Sequence, residues 1–306
     1  MRSHGFALLS VLVIGCGGTD GGDDGTTDEP AFVITSGVVT LAPGEEATHC
    51  YYFHTPNTAT VAVNRWVSTM SPGSHHMIYF SNLGTQPPDG TFDDCEVDAI
   101  PLPVYGTQIP MEEVDFPDDD GDGVPLAQVV SPNTAGFFQM HYLNGSDTEL
   151  EATVTLEAYA LPDGSDYTQT DLFATYNNDI AIPPNAMNHI ESATCDVVAG
   201  KFWSMSSHSH KQSMTTTIKD GAETVFSSTD WEHPGTTRFD PAMYEFQSGT
   251  LTWECSYDNV GDNRDRTVTA GQSARTDEMC MATGYYYPAS GPRGCFMNGG
   301  QCQCFL

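Results

Sequence analysis

Between residues 32 and 160, apolar and polar positions alternate in short runs that Pro, Gly and Asn interrupt. A period of two puts every second side chain on one face of an extended strand. On this ground 60–67, 77–80, 136–143 and 151–159 are predicted strands, and in the last of them Val154, Leu156 and Ala158 share a face. No stretch here has a convincing helical period with caps. The turn-rich run from Leu161 to Asp166 breaks the pattern, and a second set of strands follows around 201–206, 213–218, 250–257 and 282–287. The fold class is therefore all-β: two consecutive antiparallel sandwiches, over 31–160 and 161–306, each long enough to bury its own core.

Composition adds an address. The first 16 residues hold one basic residue, about ten mostly apolar ones and then Val13-Ile14-Gly15-Cys16, which looks like a bacterial lipoprotein cleavage box with Cys16 as the lipidated residue. Residues 17–30 are mainly Gly, Asp and Thr with nothing to bury, as in a disordered acidic tether. The expected location is the bacterial cell envelope, after export, with membrane contact only through the lipid. A formal charge of −31 excludes nucleic acid and anionic membrane surfaces as partners, which need clustered Lys and Arg, and a monomer is expected. The eight cysteines beyond Cys16 (50, 95, 195, 255, 280, 295, 302, 304) are even in number and would be oxidised there. Their pairing does not follow from spacing.

Candidate chemistry lies in four places. His208 and His210, two apart on a predicted strand, project from the same side, close enough to share a metal ion. His75 and His76 are adjacent, so a regular strand would point them apart; they could grip one ion only where the backbone is irregular, which Pro72-Gly73 just before them permits. His141 lies among large apolar residues and Met279 beside Cys280; taken alone, each is ordinary core packing. The acidic run Asp118–Gly123 opens like a calcium loop, but Val129 stands where such a loop needs a bidentate Glu, and it is read as a solvated insertion. His49, His54, His189 and His233 have no motif partner and are read as surface or hydrogen-bonded histidines; His4 is in the leader.

In chain order, His75-His76-Met77, Gln139-Met140-His141-Tyr142, His208-Ser209-His210 and Asp277-Glu278-Met279-Cys280 followed by Tyr285-Tyr286-Tyr287-Pro288 resemble the copper type II, ascorbate-dependent monooxygenases, from about residue 45 to about 290. This is the family of peptidylglycine α-hydroxylating monooxygenase and dopamine β-monooxygenase. The resemblance implies two jelly-roll-like sandwiches with an open cleft between them and two copper ions per chain. His75, His76 and His141 would hold the electron-transfer copper, and His208, His210 and Met279 the O2-activating one. It further implies ascorbate or another one-electron reductant, O2 as co-substrate, and hydroxylation of a C–H bond of a small organic substrate. Disulfides Cys255–Cys280 and Cys50–Cys95 are implied as well, with Cys195 joined to Cys295 or Cys302. Ser206, Met281 and Thr283 fall at the substrate cleft. Peptide-hydroxylating members carry an Arg where Ser206 stands, and a buried carboxylate without it is costly, which argues against peptidylglycine. A non-catalytic copper-binding or storage lipoprotein of the envelope is the alternative. A purely structural β protein would leave six aligned ligand-type residues to coincidence.

Overall fold

The computed structural model describes residues 29–93, 95, 101–196 and 200–305. The leader, Cys16 and all but the end of the tether lie outside the described residues. Within the described residues every regular element is a strand.

In the first half, a six-stranded sheet is centred on Val61–Met70, between Val154–Ala160 and Leu126–Val130. A five-stranded sheet is centred on Ala135–Leu143, between Glu46–His54 and Ser74–Asn82. Val154, Leu156, Ala158 and Ala160 are buried and the residues between them half-buried, so the alternation in the sequence marks the core face. Val63, Trp66 and Leu156 of one sheet meet Phe53, Tyr79 and Phe138 of the other. Each large apolar side chain removed from water in this way contributes about 1.5–3 kcal/mol.

The second half repeats the plan. Cys280–Tyr287 lies between Lys201–Ser209 and Asp171–Asn177 in a six-stranded sheet, and Thr250–Tyr257 lies between His189–Asp196 and Ser213–Asp220 in a four-stranded one. Phe202, Met205, Ala282 and Tyr286 pack against Ile218, Leu251 and Trp253. The opposite face of the six-stranded sheet is covered too. Trp203, Tyr285, Tyr287 and Leu172 join the core of the first half, where Phe116 packs at 5.2 Å from Trp203 and 5.3 Å from Tyr285. Strands covered on both faces lose their polar alternation, as Lys201–Ser209 and Cys280–Tyr287 do.

Polar ties reinforce this seam. Arg238 Nη1 donates to the Asp115 carbonyl (2.6 Å), Tyr287 OH to the Asp120 carbonyl (2.8 Å) and Thr168 Oγ1 to Asp120 Oδ2 (2.5 Å). Asp120 thus gives the acidic loop a structural use that its reading as a solvated insertion did not anticipate. The rest of the loop is solvated: Asp118, Asp119 and Asp122 are exposed. Asp119 Oδ1 accepts the backbone N–H groups of Gly121 and Gly123, both at positive φ, closing the turn on itself.

The disulfides are Cys50–Cys95, Cys255–Cys280, Cys195–Cys302 and Cys295–Cys304. The two pairs implied by the family resemblance are both present, and Cys302 is the partner of Cys195. The last two bridges share one cluster, in which Cys302 Sγ and Cys304 Sγ are 3.8 Å apart.

Candidate metal centre

The first group of histidines is made by an irregularity in the five-stranded sheet. His141 pairs with His76, but Tyr142 pairs with Ser74, so His75 is the extra residue of a β-bulge. The bulge turns His75 to the side of its neighbour. The ring centroids of His75 and His76 are 5.4 Å apart, those of His75 and His141 5.3 Å, and those of His76 and His141 5.0 Å. All three residues are buried, and one ring nitrogen from each lies within 4.8 Å of the other two. His75 Nδ1 and His76 Nδ1 are 3.2 Å apart. His141 Nε2 donates to Glu46 Oε1 (2.9 Å), which leaves its Nδ1 with the lone pair.

The second group sits on one ladder of the six-stranded sheet. Ser206 pairs with Thr283, His208 with Met281 and Ser209 with Cys280, and His210 and Met279 are the residues that follow and precede this ladder on its two strands. Ser206, His208 and His210 alternate onto one face, together with Thr283, Met281 and Met279. The rings of His208 and His210 are 5.3 Å apart. The turn after His210 is fastened to the Met279 strand, because the carboxylate of Glu278 accepts the backbone N–H groups of His210 (3.0 Å) and Gln212 (2.7 Å). Met279 is itself buried; its carbonyl accepts from Tyr257 OH (2.8 Å), and its neighbour Cys280 is bonded to Cys255.

The two groups meet. The His76 and His208 rings are 5.0 Å apart, in a T-shaped contact, where the resemblance implies centres separated by an open cleft. The apolar seam draws the two faces into contact at this point. Gln108 crosses the junction: its Nε2 donates to the Ser207 carbonyl (3.1 Å), and its Oε1 lies 2.6 Å from His208 Nδ1. Trp231, from a loop of the second half, stacks on His75 at 5.3 Å and 19°. Ser206 Oγ donates to the Gly235 carbonyl in the same loop (2.6 Å), so this substrate-cleft candidate also anchors the loop. Two surface cavities, of about 350 and 440 Å³, both have Arg238 and Asp240 in their walls, and neither is lined by these histidines.

Burial sets the charge state. It lowers His75 to about 4, assisted by His141 and His233, and His210 to about 3 against the opposing bond to the Asp277 carbonyl. His76 is pushed well below the ordinary value by burial and then by His208 and His141, His208 by burial and then by His210 and His75, and His141 is lowered by burial although Glu46 opposes it. Neutral imidazoles with free lone pairs are what a metal needs. His75 Nε2, His141 Nδ1 and His210 Nε2 are buried without a hydrogen-bond partner, an arrangement that costs about 1–3 kcal/mol per group unless something binds there. A set of imidazoles with one thioether available fits copper and is an unusual choice for zinc.

Three of the remaining histidines have ordinary partners. His54 Nδ1 meets Asp89 (2.7 Å), His189 Nε2 meets Glu191 (3.0 Å), and His49 lies against the rings of Phe92 and Tyr142. Glu46, Gln108 and Trp231 were not singled out in the sequence. No motif holds them, and only the approach of distant segments brings them to the histidines.

Residues 169–304 match the family model described as copper type II ascorbate-dependent monooxygenase, C-terminal domain. The match includes His208, His210 and Met279 and leaves the three-histidine group outside it. No curated protein matches the chain. Solved structures resembling it include the major capsid protein P2 of bacteriophage PM2, with 7% identity over 84% of this chain and 100% of that one and a TM-score of 0.32. PNGase F, a glycosylasparaginase from Flavobacterium meningosepticum, shows 9% identity over 83% of this chain and 95% of that one, with a TM-score of 0.37. Likeness at this level supports no inference. By this match, residues 169–304 are a C-terminal domain of the copper type II, ascorbate-dependent monooxygenase family.

Proposed function

We propose that this protein is a copper-dependent monooxygenase of the bacterial envelope, held by lipid at Cys16, that hydroxylates a C–H bond of a small organic substrate other than peptidylglycine. The observation that carries the reading is the convergence of five buried imidazoles, three of them with an unpaired ring nitrogen, in a chain whose second half belongs to this family. His75, His76 and His141 would hold one copper, and His208, His210 and Met279 the other. Bound copper supplies the one-electron chemistry and the affinity for O2 that side chains lack. The overall balance is substrate, O2, two electrons from a reductant such as ascorbate and two protons, giving alcohol and water.

The chain's own residues do the rest. Burial keeps the imidazoles neutral, and the thioether of Met279 is a soft donor that favours Cu(I). Glu46 holds the proton on His141 Nε2, so Nδ1 would be the atom that holds copper. Glu278 and the Cys255–Cys280 bridge keep Met279 in register with His210. Ser206 is engaged with Gly235 and Arg238 is turned to Asp115 and Asp240, so neither residue offers a substrate carboxylate a free cation.

A second reading, a copper-binding or storage protein without turnover, is favoured by one observation: His76 touches His208 and Trp231 covers His75, so the histidines face each other. Oxygen uptake with ascorbate and a panel of amines, phenols and aliphatics separates the two. Two coppers per loaded chain and substrate-dependent uptake that Met279→Ile abolishes are expected. Turnover that survives this substitution would refute the assignment of the O2 site.

A further inference from the structure

His208 is held from the other half of the molecule. Gln108 lies between strands Pro101–Thr107 and Met111–Asp115 and uses both ends of its amide on one short stretch of the second half. The Ser207 carbonyl can only accept, so it takes the amide N–H. The amide oxygen then faces His208 Nδ1 at 2.6 Å, and since that oxygen can only accept, the proton sits on Nδ1. His208 is buried, and in its neutral ring a proton on Nδ1 leaves the lone pair on Nε2.

The mirror contact exists on the other side. Glu46 of the first half, which orients His141, also lies 3.7 Å from Arg275 Nε and 3.4 Å from Ser273 Oγ, in the segment leading into Met279. Each histidine group therefore has one ring oriented by a residue of the first half that also touches the second. These ties are unequal: the contacts to Arg275 and Ser273 are 3.4 Å or longer, whereas the bonds of Gln108 are 3.1 and 2.6 Å and part-buried.

We propose that Gln108 is a positioning residue for His208, fixing it as the Nδ1–H tautomer with Nε2 as the copper-binding atom, so that the second-half centre is complete only when the first half is docked. This rests on the reading of His208 as a copper ligand.

The test uses the metal-free and copper-loaded full chain, labelled with 15N in histidine. In the metal-free protein, long-range 1H–15N correlation should show His208 with a protonated Nδ1 and an unprotonated Nε2, the resonance being assigned by its loss in His208→Ala. Gln108→Met keeps the length but removes both bonds; the ring should move toward the Nε2–H form, and copper affinity at this centre should fall roughly 10- to 100-fold, with the three-histidine centre unchanged. Gln108→Glu retains an acceptor and should restore the Nδ1–H form and most of the affinity. A His208 that carries its proton on Nε2 in the wild type, or a Gln108→Met protein with unchanged tautomer and affinity, would overturn the proposal. The tautomer is read without metal, so a failure of the copper reading shows separately, as a His208→Ala protein that still loads two coppers.

Discussion

Glu46→Ala offers a quantitative test of the three-histidine centre. The ring of His141 is 1% exposed and the Glu46 carboxylate 15%, so their 2.9 Å bond is largely shielded from solvent. A hydrogen bond to a charged group contributes about 1.5–3 kcal/mol, and removal of a carboxylate that orients a metal-binding histidine typically lowers metal affinity 10- to 100-fold, which is about 1.4–2.7 kcal/mol. The two ranges agree, and a loss of about 2 kcal/mol in copper binding is expected for Glu46→Ala, confined to this centre. Competition against a chelator of known affinity measures it. Glu46→Gln still presents an acceptor to Nε2 and should lose less than about a third of that free energy. The loss should persist at pH 8, because His141 is held below its ordinary value in the wild type and removing an anion lowers it further, leaving it neutral in both proteins. Wild-type affinity in Glu46→Ala, or an equal loss in Glu46→Gln, would refute the orienting role of the bond.

The acid dependence of copper loading should follow the buried histidines. For a base whose value is lowered, protons compete with the metal only below that value, so affinity should hold from pH 8 to about 5 and fall as the pH approaches 4, where His75 takes up its proton. Chelator competition across this range checks it; a decline that begins near 6.5 would mean that water reaches the cluster. Gly284→Ala should act on the fold of the second centre. An added Cβ would run into the backbone carbonyl of Ser204 on the strand that carries His208 and His210, which the strands can relieve only by parting. A loss of about 1–3 kcal/mol in urea denaturation is expected, with weaker copper binding at His208 and His210 before any change at His75. Unaltered stability would show that this strand pair has slack.

The sequence made some features legible and hid others for physical reasons. Of the predicted strand 151–159, the part that is Val154–Ala160 was readable because one of its faces is core and its alternation is clean, whereas the break at Thr153, which sends Leu150–Ala152 to pair with Val39–Leu41, left no mark in the pattern. Lys201–Ser209 and Cys280–Tyr287 were harder to bound, since a sheet covered on both faces writes no polar stripe. His75 and His76 showed the opposite problem: adjacency in a strand argues against a shared ion, and Pro72-Gly73 permitted a bulge without announcing the register shift at Tyr142. The grouping of His208, His210 and Met279 came through family resemblance alone; the ladder lays their two strands side by side as far as Ser209 and Cys280. Glu46 and Gln108 could not have been found, since each meets its histidine across 95 and 100 residues of chain, and no spacing encodes such a meeting. Cys195 was ambiguous because Cys295, Cys302 and Cys304 occupy two paired strands and crowd into one cluster.

The stack of Trp231 on His75 makes this protein its own optical probe. The other three tryptophans, Trp66, Trp203 and Trp253, are fully buried in the two cores, whereas the indole of Trp231 rests directly on an imidazole of the three-histidine group. Paramagnetic Cu(II) held there would quench that one emitter most strongly and Cu(I) would not, so the light lost and regained in a titration, with Trp231→Phe as the blank, would follow both occupancy and oxidation state at the first-half centre without any added label.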